Sequence, residues 1–171
     1  AERPPRVVRL GGAYASDEGA TLSAAWIHRN LFGRAEELTL QGEVGRLTQN
    51  RRADLSHLAR GSLRLPDLWL RDLDLKLDLA SVGESLDAYD RDAVTAGVSL
   101  ERRFAPGLYG SAGLGFEDAQ ITQDGGPQDY RLVSLPLRAS YDNTDDPLDP
   151  TRGFRLVAEA TPAQVLEGQG G

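Results

Sequence analysis

The clearest pattern in the sequence is the strict alternation of polar residues with leucine in DLDLKLDL, residues 72–79. A period of two places every leucine on one face of a β-strand and the polar side chains on the other. Similar alternation recurs along the chain, and no segment has the period of an amphipathic helix. The pattern predicts an all-β protein with about nine strands. They lie at residues 6–14, 19–29, 35–48, 54–65, 69–82, 91–104, 107–122, 130–141 and 153–161.

The predicted strands are long for a soluble protein. Strands of soluble sandwiches usually have about 5 or 6 residues, whereas a tilted strand needs about 9 to 11 to cross a bilayer. The apolar face, which includes Leu75 and Leu77, carries few of the large aromatic residues that a packed sandwich core normally contains. The pattern therefore favours an antiparallel transmembrane barrel and leaves a soluble β-sandwich open. The polar face would line a wet lumen, through Asp72, Asp74, Lys76 and Asp78.

The connections between the predicted strands alternate in length. Outer-membrane barrels alternate short periplasmic turns with longer external loops. We therefore expect the short connections to be periplasmic and the longer, more polar ones to be external. The short set is 30–33, 65–67, 105–107 and 142–152, and the long set is 49–54, 83–92 and 123–129.

Aromatic residues follow the same alternation, which predicts two interfacial girdles. Tyr14, Tyr89 and Tyr130 lie towards the longer connections. The larger group lies beside the short connections and comprises Trp26, Phe32, Trp69, Phe104, Tyr109, Tyr141 and Phe154.

Composition narrows the classes of function. The 171 residues carry a net charge of −7, which argues against a nucleic-acid-binding surface. The absence of cysteine excludes disulfides and a thiolate nucleophile. No apolar run has the roughly 18 residues of a transmembrane helix. The chain shows no leader and no initiating Met, so it reads as a mature chain or a fragment.

The sequence gives only weak evidence for catalytic or ligand-binding residues. His28 reads as a solvated interfacial residue, and the glycine-rich stretch 110–115 lies inside a strand pattern rather than in a phosphate-binding loop. The acidic segment 142–149 suggests a calcium site as the alternative to a turn, but Pro147 stands where an EF-hand loop requires glycine. We expect no metal, no cofactor and no enzymatic activity.

Two segments resemble a known family. YDNTDDPLDPTRGFRL, residues 141–156, resembles a periplasmic turn of the bacterial surface antigen barrel, which belongs to the outer-membrane assembly factors of the BamA/TamA superfamily. Residues 11–45 are similar to the start of that barrel, and the resemblance is closest to the TamA branch. It implies that residues 1–171 form a single domain, the N-terminal half of a larger transmembrane barrel. The resemblance places on the periplasmic side a turn built from Tyr141, Asp142, Asp145, Pro147, Pro150, Thr151 and Gly153.

The resemblance also implies a function. Assembly factors of this type reside in the outer membrane of Gram-negative bacteria and assist the insertion or translocation of outer-membrane or autotransporter proteins. Their partners would be outer-membrane lipid, nascent client proteins and a periplasm-spanning subunit. A passive channel and a soluble β-sandwich binding module are the alternatives. The first strand would act as a separable gate, formed by Arg6, Val7, Val8, Arg9, Leu10, Gly11, Gly12, Ala13 and Tyr14.

Overall fold

The computed structural model describes residues 4–16, 19–45, 55–85, 89–123, 126–146 and 148–169. These residues form one antiparallel sheet, so the prediction of an all-β meander is confirmed. Within them, no helix has the length and hydropathy needed to cross a membrane. The strands are β1 (Arg6–Ala15), β2 (Gly19–Arg29), β3 (Glu37–Gly45), β4 (Ser56–Leu65), β5 (Leu73–Ser85), β6 (Asp90–Ala105), β7 (Leu108–Gln123), β8 (Gly126–Ser134), β9 (Leu137–Asp142), β10 (Arg155–Ala160) and β11 (Ala163–Gln169).

Eleven strand segments occupy nine positions in the sheet. The order runs from β1 to β8 in sequence, after which β8 pairs with β11, and β9 lies between β7 and β10. The register between β7 and β8 continues unchanged into that between β7 and β9. Pro136 separates β8 from β9, and Pro162 separates β10 from β11, because proline has no N–H to donate to a ladder. β8 with β9, and β10 with β11, therefore correspond to the last two of the nine predicted strands.

The predicted difference in connection length is wrong for the described residues. β5 extends to Ser85 and β6 begins at Asp90, while β7 and β8 are separated only by residues 124–125. The residues expected in loops at 83–92 and 123–129 are therefore mostly strand. They form polar cross-strand pairs, and the Ser85 hydroxyl donates to the Asp90 carboxylate over 2.5 Å. Polar residues on both faces hide the alternation that identifies a strand.

The other connections do not restore the predicted difference in length between the two edges. The expected loop at 49–54 lies outside the described residues. At the opposite edge, residues 143–154 form the longest described connection, between β9 and β10. Connection length therefore gives no information on which edge of the sheet is external.

The two faces of the sheet differ in chemistry. Cross-strand pairing aligns the polar row Ser62, Asp78 and Gly97 and continues it to Gly115 and Ser134. The four buried apolar side chains of the described residues, such as Ala93 and Ala119, all belong to this polar face, which is therefore the concave one. No second sheet covers the apolar face in the described part of the chain. One apolar row runs across six strands through Leu65, Leu75, Leu100, Ala112, Leu137 and Ala160.

The aromatic residues form one band rather than two. Trp26 and Tyr141 lie on the apolar face near the edge that carries the connections after β2, β4, β6 and β9. Tyr109 pairs with Ser140 on the polar face, and Tyr130 also lies on the polar face. At the opposite edge only Tyr14 lies on the apolar face among the described residues, so the prediction of a second girdle is wrong there. Sequence position near a strand end does not decide the face to which a side chain belongs.

The turn between β6 and β7 requires glycine for two reasons that can be separated. Gly107 has φ of 77°, and a Cβ there would lie 2.0 Å from the backbone oxygen of Asp142. Gly33 has a similar φ of 92° but has open space around it. We expect Gly33→Ala to lower the free energy of unfolding by about 1–2 kcal/mol, and Gly107→Ala to lower it by at least roughly twice as much. Denaturant titrations of the folded protein would measure both losses, and equal losses would show that the Asp142 contact is not tight.

Candidate functional site: the first strand, the polar face and the acidic turn

The first strand pairs with β2 along its whole length. Ten residue pairs join them, from Arg6 with His28 to Ala15 with Gly19, with no bulge. The other edge of β1 has no partner among the described residues. Natural proteins usually protect an exposed edge with prolines, bulges or several charges. β1 has no proline, and Arg6 and Arg9 are its only charged residues, so its edge is competent to pair with another strand.

Side chains hold β1 only weakly. No side chain of residues 6–15 takes part in a side-chain hydrogen bond or ion pair. Val8 and Leu10 are 68% and 81% exposed on the apolar face. The chain is tied just before the strand, where the Arg29 amide donates to the Pro5 oxygen over 2.7 Å. The strand is therefore attached to β2 mainly through its backbone ladder, which the Pro5 hydrogen bond extends at one end and the short chain segment between Ala15 and Gly19 closes at the other.

The two glycines of the first strand have different surroundings. A Cβ on Gly11 would lie 2.6 Å from the Ser23 hydroxyl, and a Cβ on Gly12 would lie 3.6 Å from Leu22. Gly11 thus allows the Ser23 hydroxyl to approach the backbone on the polar face. Glycine in a strand also contributes no packing of its own, which weakens the pairing locally.

The predicted lumen residues fall into two groups. Asp74, Lys76 and Asp78 lie on the polar face of β5, as expected, and Lys76 pairs with Asp78 at 3.3 Å. Asp72 lies in the turn before β5 with φ of 60°, so its placement on the strand is corrected. Asp72 instead accepts a hydrogen bond from the Arg103 guanidinium at 2.8 Å. The carboxylate therefore connects the β4–β5 turn to the end of β6.

A polar cluster near the opposite edge was not predicted from the sequence. The Arg91 guanidinium and the Tyr130 hydroxyl donate to the same Glu117 oxygen at 2.7 Å and 2.8 Å, and Glu84 lies 3.7 Å from Arg91. These residues come from four strands, β5 to β8, and meet on the polar face. Only the register of three strand pairs brings them together, so no local pattern in the sequence signals the cluster.

The acidic turn is organised around Asp145. Its carboxylate accepts hydrogen bonds from the amides of Asp146, Thr151 and Arg152 at 2.9–3.0 Å and from the Thr151 hydroxyl at 2.6 Å. The Thr151 hydroxyl first, and then the amides, lower the pKa of Asp145 to about 2. Asp145 and Thr151, two of the seven predicted turn residues, are thus brought together.

Other polar side chains satisfy the rest of the turn. Asp142 accepts from the Thr144 amide and hydroxyl at 3.0 Å and 2.7 Å, and Asp146 accepts from the Leu148 amide at 2.7 Å. Asn143, which was not singled out, accepts from the Phe154 amide at 2.7 Å. These carboxylates serve backbone amides, which explains the density of aspartate without a bound ion.

The remaining predicted residues of the turn have simpler positions. Tyr141 packs on Phe154 with ring centroids 5.6 Å apart. Gly153 has φ of 93°, and a Cβ there would lie 2.4 Å from the Asn143 oxygen, so this position requires glycine. Pro150 lies in the turn, and Pro147 lies outside the described residues. Across the described ranges, no group of three or more His, Cys, Asp or Glu residues is placed to hold a metal ion.

The sequence of the chain matches one family model. The Omp85 superfamily domain matches residues 30–170. The chain belongs to the Omp85 superfamily. No curated protein matches the chain. Membership confirms the BamA/TamA-type resemblance at the level of the superfamily, while closeness to the TamA branch stays a prediction.

A solved structure shows the same fold as this Omp85 chain. The crystal structure of BamA from Haemophilus ducreyi lacking POTRA domains 1–3 superposes with a TM-score of 0.71 at 17% sequence identity. The match covers 96% of this chain and 35% of the BamA chain, so the present chain spans about a third of that protein. The predicted architecture, part of a transmembrane β-barrel, is therefore confirmed.

The Asp145 hydrogen bonds make the acidic turn of this Omp85 chain sensitive to pH. Since folding lowers the pKa of Asp145 from 3.8 to about 2, its stabilising effect is complete above about pH 4 and is lost as pH falls towards 2. We expect protection of the Thr151 and Arg152 amides from hydrogen exchange, corrected for intrinsic rates, to fall over this range. Asp145→Asn should show low protection throughout.

A matched control separates hydrogen bonding from charge. The Asp149 carboxylate accepts no hydrogen bond in the described residues. Asp149→Asn removes the same charge and should keep the pH dependence of the wild type. If Asp145→Asn behaves like Asp149→Asn, the Asp145 carboxylate does not organise the turn.

Proposed function

We propose that this chain is the N-terminal part of an outer-membrane barrel that assists the insertion or translocation of other outer-membrane proteins. The single observation that carries the proposal is the first strand, whose outer edge has no proline and no bulge, carries only two charged residues and has no partner among the described residues, so that it can pair with a strand outside them. Residues 1–171 act as one structural unit, and further strands complete the barrel. Membership of the Omp85 superfamily supports this assignment.

The mechanism uses backbone chemistry. An unpaired strand edge presents amides and carbonyls that an incoming strand can pair with, which is β-augmentation. β1 would stay joined to β2, through their ten residue pairs and the short chain segment between Ala15 and Gly19, while its outer edge parts from the last strand of the complete barrel and pairs with an incoming client strand. The gate is Arg6 to Tyr14, and it would part from the last strand of the barrel while its pairing with β2 stays intact. No catalytic group is required.

The two faces fit an outer-membrane location in a Gram-negative bacterium. The apolar face meets lipid, and the concave polar face, with Asp74, Lys76 and Asp78, lines a water-filled lumen. The edge that carries the aromatic band and the acidic turn is periplasmic. Client proteins, including autotransporters as in the TamA branch, and a periplasm-spanning subunit are the proposed partners.

A passive channel is the second candidate function. Its support is the polar face, where opposite charges such as Arg64 and Asp74 pair across neighbouring strands and leave a hydrated lining. A channel would not need the first strand to separate. The seam therefore distinguishes the two candidates.

The lipid contact can be tested on neighbouring strands. Leu77 lies between Leu63 and Val98 on the apolar face, whereas Ser62 opposes Asp78 on the polar face. Leu77→Arg should destabilise the barrel folded in lipid vesicles by about 2–4 kcal/mol. Ser62→Arg should change its stability by less than about 1 kcal/mol, because the new guanidinium meets water and a carboxylate. Equal losses in folding titrations would contradict the membrane placement.

The seam can be tested by locking it. In the full-length protein, a cysteine at Arg9 or Leu10 would be joined to a cysteine in the strand that faces β1, at ordinary disulfide geometry. Client insertion should be lost while the barrel stays folded and heat-resistant, and reduction should restore it. A lock between Thr39 and Ser62, which pair inside the sheet, is the control and should leave insertion unchanged. Normal insertion with the first strand locked would refute the gate and favour the channel.

A further inference from the structure

Four turns at one edge of the sheet share a feature that the proposed function does not use. Each of the connections after β2, β4, β6 and β9, or the strand end beside it, places an arginine two residues from an aromatic residue. The pairs are Phe32 with Arg34, Trp69 with Arg71, Phe104 with Arg102, and Phe154 with Arg152. We call these eight residues the arginine–aromatic rim.

The aromatic members of the rim are exposed. Phe32, Trp69, Phe104 and Phe154 are 70%, 77%, 61% and 57% exposed. The Phe104 ring lies against Gly110 on the apolar face, since a Cβ on Gly110 would be 2.9 Å from it. The rim is therefore continuous with the apolar face. Phe154 packs on Tyr141 and Phe104 lies against Arg102, whereas Phe32 and Trp69 make no ring contact among the described residues.

The arginines of the rim differ from the others at the same edge. Arg29, Arg64 and Arg103 form ion pairs with Glu37, Asp74 and Asp72. The rim arginines, by contrast, form no ion pair within the described part of the chain; they are Arg34, Arg71, Arg102 and Arg152.

Arg102 shows the arrangement most directly. Its guanidinium lies 5.4 Å from the centre of the Phe104 ring, in a cation–π contact. Its Nε is buried and has no hydrogen-bond partner. A buried donor without a partner is uncommon in proteins and indicates a missing acceptor.

The opposite edge does not share this feature. Its one comparable pair among the described residues is Tyr89 with Arg91, and Arg91 is bound to Glu117 and Glu84 on the polar face. Among the described residues, arginines that lie beside exposed aromatic rings and outside any close ion pair thus occur at one edge only. Longer-range charge interactions link Arg34 to Glu36, and Arg71 and Arg102 to Asp72.

We propose that the arginine–aromatic rim binds the anionic phosphate head groups of phospholipids in the leaflet that meets this edge. A guanidinium matches a phosphate with two parallel hydrogen bonds. Aromatic rings occupy the head-group level of a membrane, which places the arginines at the depth of the phosphates. The inference rests on the proposed contact of the apolar face with lipid, and it adds a preference for negatively charged lipid at one edge.

The two tryptophans of the chain provide a direct test. In the full-length protein, Trp26→Phe leaves Trp69 on the rim as the only tryptophan of these residues, provided that any others in the full-length protein are replaced. Vesicles would contain phosphatidylcholine and phosphatidylglycerol, with bromine on one lipid or the other at equal mole fraction. Quenching of Trp69 by brominated phosphatidylglycerol should exceed quenching by brominated phosphatidylcholine, with a local enrichment of about fivefold for each arginine involved.

Matched variants assign the preference to the rim. Arg34→Gln with Arg71→Gln should abolish the excess quenching of Trp69 by the anionic lipid. Arg60→Gln with Arg138→Gln removes the same charge from the polar face and should retain it. In the Trp69→Phe variant, Trp26 on the apolar face should be quenched equally by both lipids. High salt should reduce the excess, since the screening length falls to about 3 Å at 1 M.

The outcomes separate this inference from the proposed function. Equal quenching of Trp69 by the two lipids, in a barrel that folds into vesicles and inserts clients, would refute the binding of anionic lipid by the rim. It would leave the proposed function unaffected. Quenching of Trp26 but not of Trp69 would mean that the rim meets water or a protein, and would also refute it. If neither tryptophan is quenched, the apolar face does not contact lipid, and both proposals fail.

Discussion

The backbone ladder is the constraint on which the rest of this structure depends. Among the described residues no large side chain is fully buried, so the sheet is not held by a packed core of its own. Each strand is fixed by hydrogen bonds to its neighbours and by rows of side chains that match in chemistry across the sheet. An open sheet of this kind has two edges, and the state of each edge decides what the molecule can pair with. The pairing proposed for the first strand would thus use the same kind of bond that gives the fold.

The sequence predicts the strands well where one face is apolar. DLDLKLDL places Leu75 and Leu77 on one face because a period of two has no other simple interpretation. Prediction fails where both faces are polar. Ser85 and Asp90 read as loop residues, yet they pair across a strand end that continues beyond the apolar rows. Alternation along the sequence indicates a strand only when its two faces differ in polarity. A strand with two polar faces therefore cannot be recognised from this pattern.

The candidate site is predictable only where it is local. The residues that build the acidic turn lie within a short stretch of chain, and turn chemistry alone assigns Asp145 and Thr151 to it. The cluster of Arg91, Glu117 and Tyr130 depends on the register of separate strand pairs, which the sequence does not specify residue by residue. Asp72 shows where a local pattern misleads. It continues the alternation of β5 along the sequence, but it takes a left-handed conformation in the turn before that strand.

Pro136 and Pro162 give the sheet a mechanical property. They stand in adjacent strands at nearly the same level, where the Leu135 amide donates to the Pro162 oxygen over 2.9 Å. Each proline lacks the N–H that would return a second bond, so two neighbouring ladders are weakened along one line. The hairpin of β9 and β10 lies below this line and β8 with β11 lies above it. The sheet is therefore held by fewer backbone hydrogen bonds along this line than in the uninterrupted ladders of β4 to β6, and we expect it to bend most easily there.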